Sequence, residues 1–276
     1  MTEDRYIKNE GLFGAEGQAR LTDTIVGIVG YGGVGSIIGA LLAYLGIVRY
    51  RLVEFDEVER TNLNRLAGGL PGDEGELKTH IAIRTIKAVQ PDADILVSAH
   101  EFGEGDSLDV LADVDVVIGC VDRELARLHI LDWASRHGIP YIDAATDVIV
   151  TDGIVEYYGG RVVVMTGDGC VACLQLLDQD ELRRSTMTED QREVYDRIYG
   201  ISTSALEGTG PAVVTINGVV GSLAATEMMV LVTGLRPPQR KLTYHAHDGG
   251  VRPDRTVPPK GCAYCARYGR SAPAAV

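Results

Sequence analysis

Apolar residues fill positions 25–30 without a break, as in a short buried strand. A glycine turn follows, and apolar positions then recur at helical spacing over 34–46. A second strand, RYRLVEF, ends at Glu54 to Asp56. The pattern next predicts a helix from Lys78 to Val89 stopped by Pro91, a strand DILVSAH, a helical stretch near 107–112, and a strand VDVVIGC ending at Cys120. A helix over 123–137 leads into the strand PYIDAA. Strands and helices alternating in this way predict a parallel sheet covered by helices on both faces.

The pattern changes after residue 145. IVEYYGGRVVVMT alternates in character with Gly159-Gly160 between its halves, which predicts an antiparallel hairpin turning at the glycines. Residues 178–200 are strongly polar and read as a mobile excursion with one helix. A long helix from Ala212 and the strand KLTYHAH return to the core, and a Pro-rich tail follows. The fold class is α/β: a Rossmann-like mixed sheet with a parallel nucleotide-binding half and an antiparallel C-terminal half. There is no internal repeat.

The segment 212–234 is the most membrane-like, but Asn217, Glu227 and several Thr and Gly residues interrupt it, which is costly in lipid. A buried core or subunit-interface helix is the expectation. MTEDRYIKNE is charged and has no apolar stretch, so it does not read as a signal peptide, and the chain is expected to be cytosolic. With 276 residues, 45% of them hydrophobic, a sizeable core is available. A net charge of −13, from 39 acidic and 26 basic residues, argues against nucleic acid as a partner.

Gly30, Gly32, Gly33 and Gly35 follow the first strand and open a helix. Backbone without Cβ atoms can approach a phosphate closely there, and the helix N-terminus favours its charge. Glu54, at the end of the second strand, stands where an acid accepts hydrogen bonds from ribose hydroxyls. These features predict an adenosine nucleotide without saying which one. DEVERTNLNR adds Asn62 and Arg65, an amide donor and a cation suited to a triphosphate. Lys78 begins a predicted helix. Asp122, just past the end of a parallel strand, is a candidate Mg²⁺ ligand as well as a candidate cap for the helix from 123.

Cys170 and Cys173 in CVAC, with Cys262 and Cys265 in CAYC, supply four thiolates for a structural, tetrahedral Zn²⁺ site, and the reducing cytosol disfavours disulfides. Such a closed site leaves no position for substrate. Cys120 ends a buried strand beside Asp122 and reads as a small core residue. His245 and His247 share one strand face and read as strand histidines with satisfied hydrogen bonds.

The sequence resembles the ThiF/MoeB/HesA family, the bacterial relatives of ubiquitin-activating enzymes. The residues that carry the resemblance are the RY…GLFG…GQ…L lead-in, GYGGVGS, EFDEV…TNLNR, GELK, CVDR, GIPYIDAA, the two cysteine pairs and GPAVVTINGVVGSLAATE. It implies one ThiF-type adenylation domain over residues 1–276: an N-terminal arm (1–24), an ATP-binding half (25–145) and a partner- and zinc-binding half (146–276). It implies that Glu54 holds the ATP ribose with Asp56 close by, that Asn62, Arg65 and Lys78 contact the phosphates, and that Asp122 binds Mg²⁺. It also implies a homodimer whose partner substrate is a small ubiquitin-like or sulfur-carrier protein with a C-terminal Gly-Gly tail. The family adenylates that carboxylate and releases pyrophosphate. Glu54 stands where Asp is more usual. Lys8 stands where the family usually has a second arginine reaching into the partner subunit's site, with Arg5 as the alternative; lysine lacks the bidentate contact of a guanidinium. The rival readings are adenylation of a peptide in a natural-product pathway, an NAD-dependent oxidoreductase, and a catalytically silent binding subunit.

Overall fold

A computed structural model of the chain describes residues 4–151, 153–192, 195 and 211–271. Eight strands form one sheet in the order β3-β2-β1-β4-β5-β6-β7-β8. The strands are β1 (Ile25–Val29), β2 (Arg49–Val53), β3 (Asp94–Ser98), β4 (Val116–Gly119), β5 (Tyr141–Thr151), β6 (Ile154–Met165), β7 (Lys241–His245) and β8 (Gly250–Pro253). From β3 to β5 every pairing is parallel, and from β5 to β8 every pairing is antiparallel. Central β1 and β4 are buried on both faces, which is why they read as continuous apolar runs.

Helices α1 (Ile7–Asp23), α2 (Gly33–Leu45) and α3 (Lys78–Val89) cover one face with α7 (Val214–Thr233). The other face carries α4 (Ser107–Val110), α5 (Glu124–His137) and α8 (Cys265–Ser271), and α6 (Gln179–Ser185) packs on α5. The N-terminal arm is thus mostly helix. Gly11, Gly14 and Gly17 hide it in the sequence pattern, and Gly14 kinks it at φ +74°. α6 is one helix of the polar excursion and residues 189–192 are helical as well, where the sequence pattern predicts a single helix; residues 193, 194 and 196–200 lie outside the described residues.

The hairpin differs from the sequence reading. Gly159-Gly160 is not a turn but the middle of β6, which pairs with β5 from Tyr141 opposite Met165 out to Thr151 opposite Ile154. The chain reverses around Gly153, at φ +78°. The glycine pair answers to crowding instead. A Cβ on Gly160 would meet Val220 of α7 at 2.5 Å, and one on Gly159 would meet the Tyr244 carbonyl of β7 at 2.1 Å.

α7 is apolar on nearly every side and long enough to cross a membrane, yet it packs on α1, α2, β5 and β6. Its Glu227 is buried and paired with Arg236 at 2.6 Å, with Gln239 N–H donating to the same carboxylate at 2.7 Å. One stripe, Thr215, Gly218, Val219 and Ser222, faces an open groove.

Candidate functional site

The carboxyl ends of the parallel strands open onto a cleft of about 720 Å³, where ligands of such sheets bind. Its floor is the turn from β1 to α2. Gly30 adopts φ +89°, and a Cβ there would meet the Cys120 carbonyl at 2.8 Å, so only glycine fits. Gly32 faces open space in the cleft. Gly35 does not line it; this residue lets α2 pass the Gly30 carbonyl, which a Cβ would meet at 2.1 Å. The first-turn N–H groups of α2 lie at the cleft floor, as an anion-binding helix N-terminus requires.

Glu54 directly follows β2 and is buried. Oε2 accepts from Tyr31 N–H at 2.6 Å and Oε1 from Asp56 N–H at 2.8 Å. Burial raises its pKa, and Lys78 and the two amides oppose that rise. The longer side chain thereby ties the end of β2 to the glycine turn, and lone pairs remain for further donors. Asp56 accepts from Lys78 Nζ at 2.7 Å. Asn62 is buried in a short helical turn, where its Oδ1 caps Glu59 N–H. Arg65 Nη1 donates to the Thr61 carbonyl and the Asn64 amide. Glu54, Asp56, Asn62, Arg65, Lys78 and Asp122 all line this one cleft.

Asp122 is exposed in the cleft. The cap of α5 is Arg123 rather than Asp122, and the Glu124 N–H at this helix end donates to Glu181 of α6 at 2.8 Å. Capping is therefore not the role of Asp122. An exposed carboxylate opening into a cleft suits Mg²⁺, which keeps most of its waters and takes phosphate oxygens. Beneath it, Arg127 donates to the Val121 carbonyl and to Asp143, which is wholly buried. That pair fixes the turn carrying Asp122, and nothing in its sequence spacing announces it. Burial, with Asp143 nearby, pushes the Cys120 thiol far up.

Arg5 and Lys8 are not brought to this cleft. Arg5 donates to the Val89 carbonyl at the end of α3, and Lys8 lies exposed on α1. The sequence marks Asn217 as an interruption of an apolar segment and not as a site residue. Asn217 reaches the cleft from α7 and faces Gly33; its only sequence signal is a polar residue in an apolar helix.

All five cysteines are free thiols. Cys170 and Cys173 meet Cys262 and Cys265 with all four sulfurs within 4.8 Å of one another. Adjacent Sγ atoms lie 3.7–3.8 Å apart. A tetrahedron of about 2.3 Å metal–sulfur bonds has edges of about 3.8 Å, so the residues fit a thiophilic ion. The site ties the start of α8 to the 170–173 segment after β6, and α8 also reaches α5, where Arg267 bonds Asp132 at 2.7 Å. His245 and His247 lie apart from it, edge-on to Tyr157 and Tyr158.

Residues 4–260 match the model of the ThiF family. The SAMP-activating enzyme E1 of Haloferax volcanii is 27% identical over 272 residues, covering 96% of this chain and 90% of that protein. Ubiquitin-like modifier-activating enzyme 5 of Drosophila virilis is 29% identical over 167 residues, and the match takes in only 40% of its length. Among solved structures, Escherichia coli MccB with AMPCPP and MccA superposes with a TM-score of 0.75 at 19% identity, over 96% of this chain and 75% of MccB.

Proposed function

The chain belongs to the ThiF family, and we propose that it is an ATP-dependent adenylyltransferase acting on the C-terminal carboxylate of a small ubiquitin-like or sulfur-carrier protein. The observation that carries this reading is the convergence of Asn62, Arg65, Lys78 and Asp122 on the cleft that also holds the glycine turn and Glu54. A nicotinamide dinucleotide has no use for that set, whereas a triphosphate whose charge must be offset does. It also disfavours a silent subunit. The names of the Haloferax and Drosophila relatives, both activating enzymes, point the same way.

In this reading Glu54 receives the ribose, and the α2 N-terminus receives the phosphates. Lys78, Arg65 and Asn62 hold the β- and γ-phosphates. Asp122 would hold Mg²⁺, which supplies charge neutralisation at the phosphates. The partner's carboxylate oxygen attacks the α-phosphorus, a new O–P bond forms, and the bridging P–O bond to the β-phosphate breaks to release pyrophosphate. The chain supplies no nucleophile; it positions both reactants. We assign zinc to the four-cysteine site as a structural ion. We also assign Arg5 or Lys8 to the cleft of a second copy in a homodimer, a role supported by their distance from their own cleft. A cluster of reduced thiols suits a cytosolic chain.

The test has two arms. ATP with Mg²⁺ should raise the melting temperature and NAD should not. Labelled pyrophosphate should exchange into ATP when a ubiquitin-like protein ending in Gly-Gly is added. Exchange with a short peptide but not with that protein would move the substrate to the peptide class. Stabilisation by NAD alone would sink the adenylyltransferase reading.

A further inference from the structure

Asn217 is 2% exposed, and its Oδ1 accepts from Thr146 Oγ1 at 3.2 Å. Its Nδ2 has no acceptor among the described residues. A Cβ built on Gly33 would meet that nitrogen at 2.2 Å and the Arg65 Cδ at 3.3 Å. The amide therefore lies against the first residue of α2 with Arg65 beside it, and both side chains line the cleft. Nδ2 is not sealed in the core but opens into the cleft, and the helix N-terminus beside it adds further unmet donors. These donors suit a negatively charged oxygen at one point.

We propose that Asn217 donates through Nδ2 to an oxygen of the nucleotide's α-phosphate, with the Thr146 hydroxyl fixing the amide so that nitrogen faces the cleft. The assignment rests on the ATP reading above. It singles out the α-phosphate because Glu54, the ribose acid, touches Tyr31 N–H inside the same turn. A ribose held there lays its first phosphate over Gly32 and Gly33. That phosphorus is the atom under attack, and charge on its oxygens grows as the carboxylate adds. A donor already fixed at that point needs no reorganisation during reaction. The same contact gives Gly33 a reason of its own: any side chain there would displace the amide.

The experiment is calorimetric titration of the purified chain with adenosine, AMP, and ATP plus Mg²⁺. AMP carries the phosphate in question and adenosine does not. Asn217→Ala should weaken AMP and ATP by about tenfold, the value of a hydrogen bond to a charged group, and leave adenosine unchanged. Asn217→Asp, of the same shape, should lose more, because a carboxylate would face the phosphate. Thr146→Val should lose less. Unchanged adenosine affinity in each variant shows that the site is still folded. Equal losses for AMP and adenosine would make Asn217 a scaffold residue and overturn the proposal, as would undiminished AMP binding. A wild-type chain that binds none of the three overturns the ATP reading itself, a result distinguishable from the other two.

Discussion

Lys78 and Asp56 are joined twice: Nζ lies 2.7 Å from Asp56 Oδ2, and the Lys78 N–H donates to the Asp56 carbonyl at 3.0 Å. The backbone bond sets where α3 begins, and the side-chain bond sets where its first cation points. Lys78 is nearly buried while Asp56 is half exposed. The acid thus holds the ammonium at the cleft edge, which limits the side-chain entropy lost when a phosphate arrives. Lys78→Met should weaken ATP binding by about tenfold or more. Asp56→Ala should cost only several-fold, since the cation remains but wanders. Titration of both variants with ATP and Mg²⁺ checks the order; a larger loss in Asp56→Ala would reverse the roles.

Asp122 offers the cleft an exposed carboxylate and does not cap α5. Asp122→Ala should lower pyrophosphate exchange by about a hundredfold or more while adenosine affinity is unchanged. Raising Mg²⁺ should not restore the rate. Full exchange in this variant would falsify the metal assignment.

Asp73 joins the 71–73 turn to α3 through Arg84 at 2.5 Å. Arg84, helped by the Leu70 N–H and opposed by burial, lowers its pKa from 3.8 to about 2. A carboxylate depressed in the folded chain contributes stability that is complete above its ordinary value of 3.8 and is lost as pH falls toward about 2. Melting temperature followed over that window should fall more steeply for the parent than for Asp73→Asn. Parallel curves would show that the ion pair adds nothing there.

The four-cysteine site draws together segments far apart in the chain, so an ion held there would close a long loop. The purified chain should carry about one zinc ion, measured by atomic emission. Chelation or Cys262→Ala should lower the melting temperature by several degrees, with ATP affinity changing less than stability. An ion content unchanged in Cys262→Ala would move the metal elsewhere.

Cys120 is held as a thiol by burial and by Asp143. It should be a poor nucleophile at neutral pH. Cys120→Ala should keep pyrophosphate exchange within a few-fold of the parent. A partner conjugate that reductant removes, and that Cys120→Ala abolishes, would give this residue a covalent role.

Much of the site was legible in the sequence because its chemistry is local. The β1–α2 turn needs glycine at fixed offsets, and Glu54, Asp56, Asn62 and Arg65 lie on one short stretch after β2, so one local segment supplies much of the cleft lining. The cysteine pairs were legible for a similar reason: ligand spacing within each pair is set by one turn of backbone. The parallel half followed from alternation, since a buried strand and an amphipathic helix each leave a period in the chain.

Only the tertiary structure decided what depends on contact between distant elements. Gly159-Gly160 looks like a turn in one dimension, but α7 and β7 crowd it in three, and the reversal falls at Gly153. Arg127 and Asp143 find each other across a helix and a strand, and the sequence marks neither as a partner of the other. Asn217 reads as a flaw in an apolar helix until α7 packs on α2 and sets its amide against Gly33. The arm's three glycines conceal a helix stabilised by packing rather than by propensity. Local patterns record what a residue type can do with its neighbours in the chain; which distant groups it meets is set by the packing of whole elements.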